Sequence, residues 1–177
     1  NCTARVTASG CELWVGHQSP SLAVGAAASV LGISTAAVTL HQSFLGGGFG
    51  RRHETDVVSQ AVTIAATVTG RAVQLVWTRE DDMRHDMYRP AAMSTVRATL
   101  AAAGLPGMWH QRVASASVVG DFVGRVLDVQ SPKAPHKSNV EGAAWRAYAI
   151  ENLCVEHVPV DVELPVGFWR SVGYSQN

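Results

Sequence analysis

The period of hydrophobic and polar positions changes along the chain, and each change marks an element. Residues 3–8 favour β structure, Ser9-Gly10 signals a turn, and residues 12–15 resume an extended pattern, which predicts a β-hairpin. Ser19-Pro20-Ser21 suits a helix cap and first turn. Leu22, Ala26 and Val30 then give an apolar helical face, stopped near Gly32. Residues 38–44 alternate, with Val38, Leu40 and Gln42 on one face, which predicts a strand. A glycine run follows. Thr55 or Asp56 is placed to cap a second helix whose apolar positions are Val57, Ala61, Ile64, Ala65 and Val68, closed by Gly70. Residues 72–78 read as a strand.

The second half has a different rhythm. Residues 81–90 are polar and irregular, and residues 93–101 and 108–116 form a second hairpin about 104–107. Residues 121–139, with Pro132 and Pro135, are loop-like, residues 151–162 are extended, and residues 164–176 are rich in aromatics and glycine. Helices and strands alternate early and strands dominate later. The expected class is α+β, with mixed sheets and two main helices. The expected division is a subdomain over residues 1–92 that carries the glycine run and a strand-rich one over residues 93–177.

Composition narrows the function classes. The chain of 177 residues is 47% hydrophobic and 16% charged, as expected of a core-forming protein. Its formal net charge is zero, so no basic excess exists to grip a phosphate backbone, and nucleic acid is not an expected partner. No apolar run approaches the roughly 20 residues of a membrane span. Cys2, Cys11 and Cys154 have no CxxC spacing. They read as three unlinked thiols, with a Cys2–Cys11 pairing across the hairpin as the alternative. No metal site is expected from their spacing.

The strongest candidate for chemistry is Gly46-Gly47-Gly48-Phe49-Gly50-Arg51-Arg52, between a strand and a helix. Consecutive glycines let backbone approach a ligand closely, and their N–H groups form a concave nest for anionic oxygens. The following helix end and the two arginines would add positive charge. A flexible turn is the alternative. The GK[ST] ending of a phosphate-binding P-loop is absent. Gln18, at the junction of a strand and a capped helix, carries an amide that either meets a ligand oxygen or is simply solvated. Arg170, within Gly167-Phe168-Trp169-Arg170-Ser171-Val172-Gly173, either presents a guanidinium fork or lies along an aromatic cluster. The charged run 79–86 reads as solvated or self-paired rather than metal-binding.

With these residues in place, the sequence resembles the xanthine oxidase family of molybdenum hydroxylases. The similarity rests on Gly46 to Arg52, Asp56, Gln60-Ala61 and Gly70-Arg71, on the ungapped run 75–86, and on Tyr88-Arg89-Pro90-Ala91-Ala92. It extends to Pro165-Val166-Gly167-Phe168-Trp169-Arg170-Ser171-Val172-Gly173 and Ser175-Gln176-Asn177. It looks most like the large subunits of isoquinoline 1-oxidoreductases and bacterial aldehyde dehydrogenases. The resemblance implies molybdenum on an organic pterin, in the cytosine dinucleotide form, oxidising an aldehyde or N-heterocycle with water as the oxygen source. It also implies a small partner subunit whose iron–sulfur clusters carry the electrons away. By the same resemblance, Gln18 and Arg170 are the catalytic-site positions, and Gly47, Gly48, Phe49, Gly50 and Arg51 line the cofactor. Where xanthine oxidases continue the loop with Gly-Lys-Glu, this sequence has Arg51, Arg52 and His53, so purine recognition is not expected. The family's general-base glutamate is expected beyond residue 177, so this stretch alone is expected not to turn over. The alternative is a scaffold module that kept the fold and lost the cofactor.

Overall fold

A computed structural model describes residues 1–102, 104–130, 136–144 and 148–175. Pro132, Pro135, Gln176 and Asn177 lie outside the described residues. The chain forms two compact units, Asn1–Asp86 and Met87–Asn177.

The first unit is a four-stranded sheet with two helices against it. Strands β1 (Cys2–Thr7) and β2 (Gly10–Val15) form the expected antiparallel hairpin. Strand β3 (Val38–Gln42) pairs parallel to β2, and β4 (Ala72–Leu75) pairs antiparallel to β1, giving the order β3-β2-β1-β4. Alternation decides the faces. Cys2, Ala4, Val6, Cys11, Leu13 and Val15 are buried on one face. The opposite face carries the Arg5–Glu12 ion pair and Trp14 stacked on His41 at 4.8 Å. The cysteines are free thiols: Cys2 and Cys11 are buried and Cys154 is exposed. Burial pushes the Cys2 thiol up to about 11.

Helices α1 (Pro20–Leu31) and α2 (Asp56–Thr67) are the two main helices. Their buried faces differ from the expected ones. In α1 the core face is Ala23, Ala27 and Ala28, while Val30 is 40% exposed. In α2 Val57, Val58, Ala61, Val62 and Ala65 are buried, while Ile64 and Val68 are exposed. Small residues win the interface because α1 and α2 pack on each other as well as on the sheet, and alanine permits the closer approach. Gly32 ends α1 in the left-handed conformation, as expected. Gly70 does not cap α2. The helix ends at Thr67, and the Gly70 N–H donates to the Val6 carbonyl at the sheet. The stretch expected to be irregular contains α3 (Arg79–His85), begun by a capping box between Thr78 and Asp81.

In the second unit, β5 (Ala92–Leu100) and β6 (Pro106–Ser115) form the expected hairpin, and β7 (Asn152–Pro159) pairs parallel to β6. Residues 121–127 are not loop-like. They lie in α4 (Val118–Leu127), capped by the Ser117 hydroxyl accepting from the Gly120 N–H. Residues 87–89 belong to this unit because they bond to the 165–170 segment. The Tyr88 N–H donates to the Pro165 carbonyl, the Gly167 N–H to the Tyr88 carbonyl, and the Trp169 indole to the Met87 carbonyl. Asp121 fastens the same segment by accepting the Val166 N–H at 2.6 Å.

The helix interface yields a contrast between two apolar positions of α1. Ala27→Leu forces extra volume into a fully buried site and is expected to destabilise by about 1–3 kcal/mol. Val30→Ala at the expected but exposed face should change stability by less than about 0.5 kcal/mol. Denaturant unfolding of both variants checks the assignment, and equal effects would refute it.

Candidate functional site

Parallel pairing of β2 and β3 carries Val15 opposite Gln42, so the segments leaving both strands emerge at the same end of the sheet. Carboxyl ends of adjacent parallel strands are where ligands bind in open sheets. One segment is Gly16-His17-Gln18-Ser19, which runs into α1. The other runs from Ser43 through the glycine loop to Glu54. They are tied by the Ser43 N–H to the Val15 carbonyl at 3.2 Å and by the Gln42 side-chain amide to the His17 carbonyl at 2.9 Å. A cleft of about 380 Å³ opens at this end, lined by Trp14, Gly16, Phe44, Leu45, Arg52 and Gln74 among others.

Two histidines organise the junction. His17 is buried. Its Nδ1 accepts the Ser19 N–H at 3.0 Å, so the proton sits on Nε2, which donates to the Glu54 carbonyl at 3.1 Å. The Ser19 hydroxyl does not cap α1 as expected. It meets Nδ1 of His53 at 2.7 Å instead. Burial lowers the affinity of both imidazoles for a proton.

Gln18 sits between the two segments. Its N–H donates to the Arg52 carbonyl at 2.9 Å, its Oε1 accepts the Gly50 N–H at 2.9 Å, and its Nε2 lies 3.2 Å from Nε2 of His53. Gly48 passes so close that a Cβ there would fall 2.5 Å from Gln18 Oε1 and 2.7 Å from Cδ. Only glycine fits. Gly50 is held at φ 95°, where a side chain would be strained, and Phe49 itself adopts φ 51° with its ring 61% exposed. Among the described residues, the N–H groups of Gly46, Gly47 and Gly48 make no hydrogen bond.

The charge of the loop is arranged differently from the expectation. Arg51 grips Asp56 with both terminal nitrogens, at 3.1 and 2.8 Å, meets Asp86 with Nε at 2.5 Å, and lies over the Trp77 ring at 5.5 Å. Burial alone would lower its pKa, but Asp56 and the nearby acids Asp86 and Asp82 raise it. The α2 end is separated from the loop by a 3-10 turn over Arg51–His53, and Asp56 occupies its first turn. Helix dipole and Arg51 charge are therefore spent within the fold, and the loop offers a ligand chiefly its backbone N–H groups. Arg170 lies in the second unit, where its carbonyl accepts from Arg89 at 3.0 Å. The run 79–86 is partly self-paired through Arg79 and Asp82. Among the described residues, no group of histidine, cysteine and acidic side chains is placed to hold a metal ion.

Comparison with known proteins identifies the domain. The model of the molybdopterin cofactor-binding domain matches residues 1–129. The chain belongs to that family. It is 39% identical over 89 residues to the isoquinoline 1-oxidoreductase subunit beta of Brevundimonas diminuta, covering 50% of this chain and 11% of that protein. It is 36% identical over 86 residues to a membrane-bound aldehyde dehydrogenase (pyrroloquinoline-quinone) of Gluconacetobacter polyoxogenes, covering 49% and 11%. Among solved structures, quinoline 2-oxidoreductase from Pseudomonas putida 86 superposes with a TM-score of 0.76 at 15% identity, over 98% of this chain and 22% of that one. Aldehyde oxidoreductase from Desulfovibrio gigas gives 0.72 at 15%, over 97% and 18%. The chain thus spans about a tenth of the curated relatives' length. The expected α+β fold of a molybdopterin-binding domain is the one found. No described helix is long and apolar enough to cross a membrane.

Of the residues named from the sequence, the structure brings together Gln18, Gly48, Phe49 and Gly50, with Gly47 alongside in the loop. Sequence reasoning took Ser19 for a helix cap and saw in His53 only a departure from the xanthine oxidase loop. It also missed the carboxylates that hold Arg51. No spacing rule links residues 35 positions apart, so only the parallel register exposes them.

Two outcomes follow from this packing. Gly48→Ala is expected to displace the Gln18 side chain and cost about 1–2 kcal/mol, yet to be tolerated in a Gln18→Ala background, where the atoms it strikes are gone. Additive losses in a double-mutant cycle would exclude the contact. Second, folding lowers the proton affinity of His17 and His53 below the ordinary 6.5. The unfolded chain therefore takes up protons first as the pH falls, and the stability these groups contribute is full above 6.5 and declines through their lowered values. A thermal midpoint that stays flat on acidification just below 6.5 would contradict it.

Proposed function

We propose that the protein containing this segment is a molybdenum-dependent hydroxylase or dehydrogenase that oxidises an aldehyde or an N-heterocycle with water as the oxygen source. The observation that carries this reading is the pairing of an oriented Gln18 carboxamide with the unbonded N–H groups of Gly46, Gly47 and Gly48 at the ends of two parallel strands. Family membership supports the cofactor. The names of the relatives and neighbours, which are isoquinoline, quinoline and aldehyde oxidoreductases, support the substrate class.

The residues present fit such a group. Gly48 keeps the backbone against Gln18 without a Cβ, the N–H groups of Gly46, Gly47 and Gly48 are open, and Arg52 lines the neighbouring cleft. When bound, the molybdenum pterin supplies the two-electron redox chemistry. The chain's own part is to bind and orient. Gly47 and Gly48 would offer backbone N–H groups to its oxygens, with Phe49 and Gly50 shaping the loop around them while the Gly50 N–H stays on Gln18 Oε1. Gln18 would offer the carboxamide N–H that His53 does not take. Arg51 serves the loop by bracing it to Asp56 and Asp86. Arg170 enters the reading through the sequence resemblance, as a guanidinium on the substrate side. The cytosine dinucleotide form of the pterin, a small iron–sulfur partner subunit and the inactivity of this stretch alone complete the proposal.

Metal and pterin analysis of the full-length protein tests it. Molybdenum and a released pterin are expected, with labelled oxygen from water appearing in the product. Gln18→Ala should lower kcat/KM about 10- to 100-fold while leaving molybdenum content near normal. A protein that binds neither molybdenum nor pterin, or depends on a quinone instead, would sink the reading.

A further inference from the structure

Gln18 is an exposed side chain, and an exposed carboxamide is ordinarily free to rotate and flip. Here it is fixed at both ends. The Gly50 N–H identifies Oε1 as the acceptor, which leaves Nε2 as the donor toward His53. His53 Nε2 must therefore be unprotonated, and the ring proton sits on Nδ1, facing the Ser19 hydroxyl at 2.7 Å. Ser19 in turn is held by its own N–H on His17 Nδ1, and His17 is anchored on the Glu54 carbonyl. The chain of bonds runs Glu54, His17, Ser19, His53, Gln18, Gly50, and it closes on the glycine loop.

We propose that His53 is a positioning residue that orients the Gln18 carboxamide and, through Gln18, holds the Gly48–Gly50 backbone against it. Its ring accepts from Gln18 on one side and is steered by Ser19 on the other. The orientation therefore does not depend on any bound group. For its effect on catalysis the inference rests on the function proposed above; for its effect on the loop it does not.

Hydrogen exchange at the Gly50 amide in the full-length protein reads the geometry directly, because that N–H is protected only while Gln18 Oε1 faces it. His53→Leu removes the acceptor, and Gly50 exchange is expected to rise about 5-fold. Gln18→Ala should give a similar rise, and the double variant no more than Gln18→Ala alone. His53→Gln restores an acceptor and should return exchange close to the parent rate. Peptides from α2 report whether the unit itself has loosened. If His53→Leu loosens them, Ser19→Ala, which removes only the Nδ1 partner, decides on the same Gly50 readout. A Gly50 amide indifferent to His53→Leu, additive effects of the two single variants, or His53→Gln behaving like His53→Leu would overturn the proposal. In the molybdenum-loaded protein, His53→Leu and Gln18→Ala should lower kcat/KM by the same factor. The exchange result is independent of cofactor content, so a protein without molybdenum would defeat the proposed function and leave this test standing.

Discussion

Everything at the site depends on the parallel pairing of β2 with β3. With Val15 opposite Gln42, both strands deliver their chain to the same edge, and α1 takes up the crossover between them. A parallel connection requires such a crossover. The result is that Gln18 and Gly50, 32 positions apart in sequence, lie within one hydrogen bond. A register slipped by one residue would turn Leu13 and Leu40 to the other face and separate the two segments. The buried row of Cys11, Leu13 and Val15 is what makes that slip costly, so the apolar core sets the site's geometry as well as its stability.

The electrostatics of the loop come from the same economy. A glycine loop with two arginines invites the reading of a charged anion trap. The fold binds Arg51 to two carboxylates and a tryptophan face instead. A bidentate pair of this kind is geometrically specific, and with side-chain exposures of 23% and 24% it is only partly screened by water. Its stabilisation is modest, because desolvation offsets much of the attraction. Its larger consequence is direction: the arginine that follows the loop is anchored to the start of α2 and to the end of α3. Arg51 is therefore kept from a ligand, which meets the open backbone N–H groups of the loop and, in the neighbouring cleft, Arg52.

Local elements were legible where one physical rule dominated. The first hairpin followed from alternation and Ser9-Gly10, and the end of α1 from Gly32. Helix faces were not, because periodicity names a stripe without saying which side meets small neighbours. In α1 the alanines took the core that Val30 was expected to share. Helix α3 was hidden by its charge, although Thr78 and Asp81 stand at capping-box spacing, and α4 was hidden by the weak pattern after Ser117. At the site, Gln18 and the glycines were named from sequence, but their reason for being together was not. Gly48 reads in the sequence as a glycine that lets backbone approach a ligand, with a flexible turn as the alternative. In the structure it is a steric requirement imposed by a glutamine thirty positions earlier.

That requirement explains why a strained loop persists. Phe49 in the left-handed region costs on the order of 1–2 kcal/mol relative to an ordinary turn, and the open N–H groups beside it contribute nothing to the fold. Such strain survives only where the surroundings over-determine it. Here Gln18 fixes the loop at Gly50, Arg51 fixes it to α2, and the Ser43 N–H fixes its entry at Val15. Beneath these ties lies a core in which Leu13, Val58 and Val62 are fully buried. A loop held at three points over a rigid sheet is preorganised for a ligand and has little freedom left to lose on binding. A glycine loop free to flex would forfeit affinity in ordering itself.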